Sequence, residues 1–192
     1  MHLVSQPPVC ENVVELLDWY ELPQMVILVR ERPTPCMDLF DYLMAMEGKL
    51  DQDVVRVIMQ QVVVAVQLCH NRGVLHRDIK LENLLVNTDT MNVKLNDFGC
   101  GALLRDECYQ EFAGEYQGPE ATVWSLGVLL FATVNGELPF REGSEIIQGC
   151  LHFQRGISRE YKNLVRLCLM KDPDKRLNLD QILSHGWMSD LT

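Results

Sequence analysis

Residues 74–85 read Val-Leu-His-Arg-Asp-Ile-Lys-Leu-Glu-Asn-Leu-Leu, and nineteen positions after Asp78 the chain reads Asp97-Phe98-Gly99. Each stretch lies beside short apolar, β-branched runs that read as brief strands. Upstream, Asp51 can cap a helix running to about residue 71, with Val54, Ile58, Val62 and Val66 recurring every fourth position on one face. Gly73 ends it. Asp38 can cap a shorter helix to about residue 46, and Pro33 and Pro35 punctuate the chain before it. Residues 12–20 and 24–30 read as two strands joined by a turn at Leu22-Pro23-Gln24. Downstream, residues 100–120 look irregular. Residues 122–135 are apolar nearly all round, which predicts a helix buried among helices. Residues 144–150, 158–170 and 179–188 read as three further helices. A little β-structure followed by mostly helix makes the class α+β.

The 192 residues include 17 basic and 27 acidic side chains, a formal charge of −10. That balance argues against a nucleic-acid or anionic-membrane binder, which needs a basic face. A hydrophobic share of 47% is enough for a core and excludes a disordered tail or a charged linker. Seven cysteines, odd in number, widely spaced and without a C-x-x-C pair, predict neither a disulfide framework nor a structural zinc site. They are expected to be mostly small core residues in a protein of the cytosol or nucleus. The first eleven residues lack the pattern of a signal peptide, and no apolar run approaches the length of a membrane span. A monomer without membrane contact is expected.

The two quoted stretches resemble the catalytic loop H-R-D-x-K-x-x-N and the D-F-G motif of eukaryotic protein kinases. Alone, D-F-G is a weak tripeptide and H-R-D is hardly stronger. Five fixed positions in eight (76, 77, 78, 80 and 83), followed by D-F-G at kinase spacing, are far more specific. Asp172-Pro173-Asp174-Lys175-Arg176 resembles the D-P-x-x-R near the end of such domains, and Gly118-Pro119-Glu120 the A-P-E motif. The finer resemblance is to the PIM family of serine/threonine kinases, over residues 12–190. Glu31-Arg32-Pro33, Asp38-Leu39-Phe40-Asp41, Asp97-Phe98-Gly99-Cys100-Gly101-Ala102-Leu103-Leu104 and Val123-Trp124-Ser125-Leu126-Gly127 carry it. The hinge proline is the most telling, because it removes a backbone N–H that would otherwise meet adenine.

The resemblance implies ATP and Mg²⁺ as cofactors and basic, Arg-rich Ser/Thr proteins as substrates. Phosphoryl transfer spreads negative charge, so the protein's part is positioning and neutralisation. Asp78 would orient the substrate hydroxyl and accept its proton, and Lys80 would neutralise the γ-phosphate. Asn83 and Asp97 would offer Mg²⁺ the oxygens a hard cation prefers. Glu31, Pro33 and Leu85 would lie along the nucleotide, and Asp38, Asp41 and Glu82 would read the substrate arginines. Asp38 is equally a helix cap. His76, Phe98 and Gly99 would pack beneath the site, and Arg77 would face the activation segment. Arg176 would pair with Glu120, a pair that costs about 3–5 kcal/mol to break from one side if buried.

Three departures from the pattern stand out. No Gly-rich loop and no lysine-bearing strand of the V-A-I-K type precede residue 12, so residues 1–35 are expected to be a remnant of the N-terminal lobe and 36–192 the C-terminal lobe. The activation segment is short: five residues separate Gly114 from Glu120, and two separate Glu120 from Val123. This puts substrate docking and the packing of the helix after it in question, and neither Tyr109 nor Tyr116 stands out as a phosphosite. Arg30 falls at the gatekeeper position, where it is expected to reach solvent or shift its strand, and Asn96 replaces an apolar residue before D-F-G. The chain therefore has two readings with a function, a PIM-like kinase whose full product is expected to be longer than this chain or a non-catalytic module that binds basic peptides. A third is a degenerate product that folds poorly and exposes apolar surface.

Overall fold

The computed structural model describes residues 1–104 and 118–189. The expectations for Tyr109, Tyr116 and the shortened stretch after Gly114 fall mainly outside that range. A 3-10 turn, His2–Ser5, opens the chain and buries Val4. Residues 12–14, expected to begin the first strand, instead lie against a later one. Val14 N–H donates to Leu95 O at 2.9 Å, and Leu95 N–H to Asn12 O at 2.8 Å. The first hairpin is therefore β1 (Leu16–Leu22) and β2 (Met25–Arg30), antiparallel, with its turn at Pro23-Gln24.

Next come β3 (Met37–Asp38) and α1 (Leu39–Ala45), where the Asp38 carboxylate accepts from Asp41 N–H as a cap. Asp51 caps α2 (Gln52–Asn71) in the same way. The buried face of α2 is broader than a fourth-residue stripe: Val55, Met59, Val63, Ala65 and Cys69 join Ile58, Val62 and Val66, while Val54 is only half-buried. By length and composition α2 could cross a bilayer, but eight of its side chains are buried within the protein, as in a central core helix. Gly73, at φ +70°, takes the left-handed turn that ends it.

The chain then builds β4 (Val74–Leu75), a 3-10 turn (Leu81–Asn83), β5 (Leu84–Val86), β6 (Val93–Leu95), a second 3-10 turn (Phe98–Cys100) and β7 (Ala102–Leu103). β5 lies between β3 and β6, and β4 pairs with β7. The remainder is helical: α3 (Gly118–Asn135), α4 (Gly143–Gln148), α5 (Arg159–Cys168), α6 (Leu179–Leu183) and α7 (Gly186–Ser189). α3 is buried nearly all round and packs on α2 and α5, so the short segment before it does not compromise it. It starts four residues earlier than the sequence predicts. Pro119 is tolerated in a first helical turn, and the Thr122 hydroxyl donates back to Gly118 O at 2.9 Å. The expected closing helix divides at Ser184-His185, where the Ser184 hydroxyl donates to Asp180 O. Tyr161, Trp187, Phe131 and Phe153 form the aromatic centre, with the Tyr161 and Trp187 rings edge-on at 5.2 Å.

The cysteines are less buried than expected. Only Cys69 and Cys168 of the six described are buried; Cys10 and Cys36 are half-buried, and Cys100 and Cys150 are exposed. An exposed thiol costs little, so packing does not force the others inward.

Candidate active site

The two short sheets explain how the motifs meet. His76–Asn83 leaves β4 and returns into β5, while Asp97-Phe98-Gly99 leaves β6 and enters β7. Since β5 pairs with β6 and β4 with β7, both connections are held at the same place.

His76 lies beneath them, 2% exposed. Its Nδ1 accepts from Asp78 N–H at 3.3 Å. The proton therefore sits on Nε2, which donates to Asn96 O at 2.8 Å. Burial holds this imidazole below its ordinary pKa, so the neutral tautomer persists. The Phe98 ring stands edge-on to it at 4.6 Å. Arg77 takes a left-handed φ of 65° and donates from Nε to Cys100 O at 2.7 Å, at the start of the activation segment.

Asp78 Oδ2 is 2.8 Å from Lys80 Nζ and accepts from Asn83 Nδ2 at 2.9 Å. Partial burial pushes this carboxyl up in pKa, but the hydrogen bonds from Lys80 and Asn83 outweigh it and hold it below the ordinary value. Lys80 is raised, first by its hydrogen bond to Asp78. The pair is therefore an ionised carboxylate beside a charged ammonium, the former able to orient a hydroxyl and the latter to face an anion. Asn83, buried, also donates to Asp78 O at 2.7 Å. Asp97 sits at φ 60°, its Oδ1 accepting from Gly99 N–H at 3.1 Å. A Cβ on Gly99 would come 3.1 Å from that oxygen, so a side chain there would press on the turn.

The carboxylates expected to read substrate arginines fall on neighbouring elements. Asp38 and Asp41 open α1, which packs against the 3-10 turn carrying Glu82, and Asp41 and Glu82 are exposed. Asp38 is the cap of α1, with Oδ1 on Asp41 N–H at 2.8 Å. In the hinge, the Glu31 side chain is already committed, accepting from Lys94 Nζ at 2.7 Å and Glu15 N–H at 2.9 Å. The nucleotide contact expected of Glu31 would therefore fall to its backbone. The Pro33 carbonyl accepts from Cys36 Sγ at 2.9 Å, and Leu85 is half-buried in β5 between Asp38 and Lys94. Lys94 was missed by sequence reasoning, although its place between Val93 and Leu95 marks it as facing away from the core.

The profile of the protein kinase domain family matches residues 1–188. The chain belongs to the protein kinase family. It is 42% identical over 193 residues to the serine/threonine-protein kinase pim-2 of Danio rerio, covering 93% of this chain and 62% of that protein. It is 41% identical over 198 residues to the serine/threonine-protein kinase prk-2 of Caenorhabditis elegans, covering 94% of this chain and 45% of that one. Against the serine/threonine-protein kinase SIK1 of Mus musculus the identity is 33%, covering 98% of this chain and 26% of the relative. The chain thus spans less than two thirds of the length of these kinases. The PIM-like resemblance read from the hinge and motif residues agrees with the first of them.

In this chain one sequence expectation needs correction. Arg176 does not pair with the Glu120 side chain. Its Nη1 donates to Glu120 O at 2.6 Å, its Nε and Nη2 to Met170 O at 3.0 and 2.8 Å, and its guanidinium lies 5.2 Å over the Trp124 ring. Those carbonyls occupy the fork, and Glu120 Oε2 is buried with no partner among the described residues. Arg30 does reach solvent, but it is also tied to the other unusual residue: Nη1 donates to Asn96 Oδ1 at 2.8 Å.

The site fits the nucleotide and Mg²⁺ that the kinase family implies. Asn83 spends its amide nitrogen on Asp78, and its Oδ1 makes no hydrogen bond among the described residues. Asp97 uses Oδ1 locally, and its Oδ2 is likewise unused. Among the described residues no three His, Cys, Asp or Glu side chains converge as ligands. Two protein oxygens alone suit Mg²⁺, which takes one or two side chains and completes its shell with phosphate and water.

Proposed function

We propose that this chain is the catalytic lobe of a serine/threonine kinase acting on arginine-rich proteins. The observation that carries the proposal is the closed Lys80–Asp78–Asn83 constellation beside Asp97. Bound Mg²⁺-ATP supplies the phosphoryl group. Asp78 orients the acceptor hydroxyl and takes its proton, and a carboxylate held ionised by Lys80 and Asn83 is ready to do so. Lys80 faces the charge that develops on transfer, and Asn83 and Asp97 hold the metal. Asp38, Asp41 and Glu82 present carboxylates to substrate guanidinium groups. The odd number and wide spacing of the cysteines support a reducing compartment, cytosol or nucleus.

The second reading, binding of basic peptides without transfer, is favoured by one observation: only five residues separate Gly114 from Glu120 and two separate Glu120 from Val123, a short stretch for a substrate platform. The test is transfer of labelled γ-phosphate from Mg²⁺-ATP to an arginine-rich serine peptide, with Asp97→Ala as control. Transfer by the chain and its loss in Asp97→Ala are expected. Peptide binding with no transfer by folded protein would move the function to the second reading.

A further inference from the structure

Two departures sixty-six positions apart in sequence meet in space. Arg30 ends β2, and its Nη1 donates to Asn96 Oδ1 at 2.8 Å. The carboxylate next to it in sequence, Glu31, is taken by Lys94. Among the described residues no carboxylate forms an ion pair with Arg30. With Asp97, Phe98 and Gly99, Arg30 lines a cavity of about 390 Å³ whose apolar side is formed by Leu16, Trp19 and Leu28.

An arginine steadied by a neutral amide keeps its full charge, whereas a carboxylate partner would quench it. Its remaining N–H donors form a planar fork that matches phosphate oxygens. Arg30 is exposed, so holding the charge there carries little desolvation cost. An unquenched cation sharing a cavity with Asp97, in a chain of charge −10, is placed for an anion that arrives with a divalent metal. Asp97 would repel a bare polyphosphate, and Mg²⁺ removes that repulsion.

We infer that Arg30, positioned by Asn96, binds the polyphosphate of a nucleotide in the cavity it shares with Asp97. The inference rests on the nucleotide reading above.

The test is titration of the purified chain, in Mg²⁺, with ADP and separately with adenosine, read by calorimetry, for wild type, Arg30→Met and Arg30→Lys. Thermal melts verify that each variant is folded. Arg30→Met is expected to weaken ADP about tenfold or more, since a tenfold change is about 1.4 kcal/mol and a charge-assisted contact is worth at least that. Adenosine affinity is expected to be unchanged, and Arg30→Lys, which keeps the charge but not the fork, to bind ADP more weakly than wild type and more tightly than Arg30→Met. Equal ADP binding by wild type and Arg30→Met, or equal losses for ADP and adenosine, would overturn the inference while leaving the nucleotide site intact. Failure of wild type to bind either ligand would overturn the nucleotide reading and this inference together.

Discussion

His76 shows how one side chain couples both motifs. Its Nδ1 reads the backbone of the catalytic loop, its Nε2 the carbonyl before Asp97, and its ring meets Phe98. The first contact needs the neutral ring, because a protonated Nδ1 cannot accept from Asp78 N–H. Burial first of all holds His76, His70 and His185 below their ordinary pKa of 6.5. The unfolded chain therefore takes up protons at a higher pH than the folded one. Stability is full above 6.5 and is lost as pH falls below it. Asp78 has the opposite chemistry but the same sign: its folded pKa is depressed, so its contribution is lost only as pH falls below the ordinary carboxylate value of 3.8. The thermal midpoint should therefore drop between pH 7.5 and pH 5.5, and the slope should be shallower in His76→Phe. A flat midpoint over that window, followed by circular dichroism, would contradict the buried neutral ring.

At the scale of elements, the helical body depends on how closely α3 meets α5. Gly127 makes that approach possible: a Cβ there would lie 2.8 Å from Cys168 Cβ and 2.9 Å from Leu169 Cδ2. The obstruction is the base of a buried side chain, which cannot swing away. Gly127→Leu is expected to cost about 1–3 kcal/mol or more by overpacking, lowering the urea midpoint. Gly143→Ala, where nothing lies within 4 Å, is the control and should shift it little. Equal midpoints for both variants would mean that α3 and α5 separate more easily than the packing implies.

Across the whole molecule, the largest cluster of exposed apolar side chains lies on the β1–β2 hairpin. Leu17, Tyr20, Leu22, Met25 and Val26 are all at least half exposed. An apolar two-stranded ribbon with both edges open invites association. Val26 lies opposite Glu21, so Val26→Lys removes apolar surface and gains a cross-strand partner. That variant should aggregate less and bind less of an apolar dye, at an unchanged melting temperature. A fall in melting temperature would show that the hairpin packs on something it needs.

The sequence by itself determined the motif pair, the α+β class and most helix limits. Asp38 and Asp51 cap the helices they were expected to cap, and Gly73 ends α2, because capping and left-handed turns are settled among near neighbours. The all-apolar pattern of residues 122–135 likewise announced a buried helix. Only the tertiary structure joined Arg30 to Asn96, tied Glu31 to Lys94 and laid residues 12–14 against β6. Only it showed Arg176 spent on carbonyls rather than on the Glu120 carboxylate. The physical reason is distance along the chain. Periodicity and caps report forces acting within a turn or two, whereas a partner dozens of residues away depends on which elements stack and which donors are already taken.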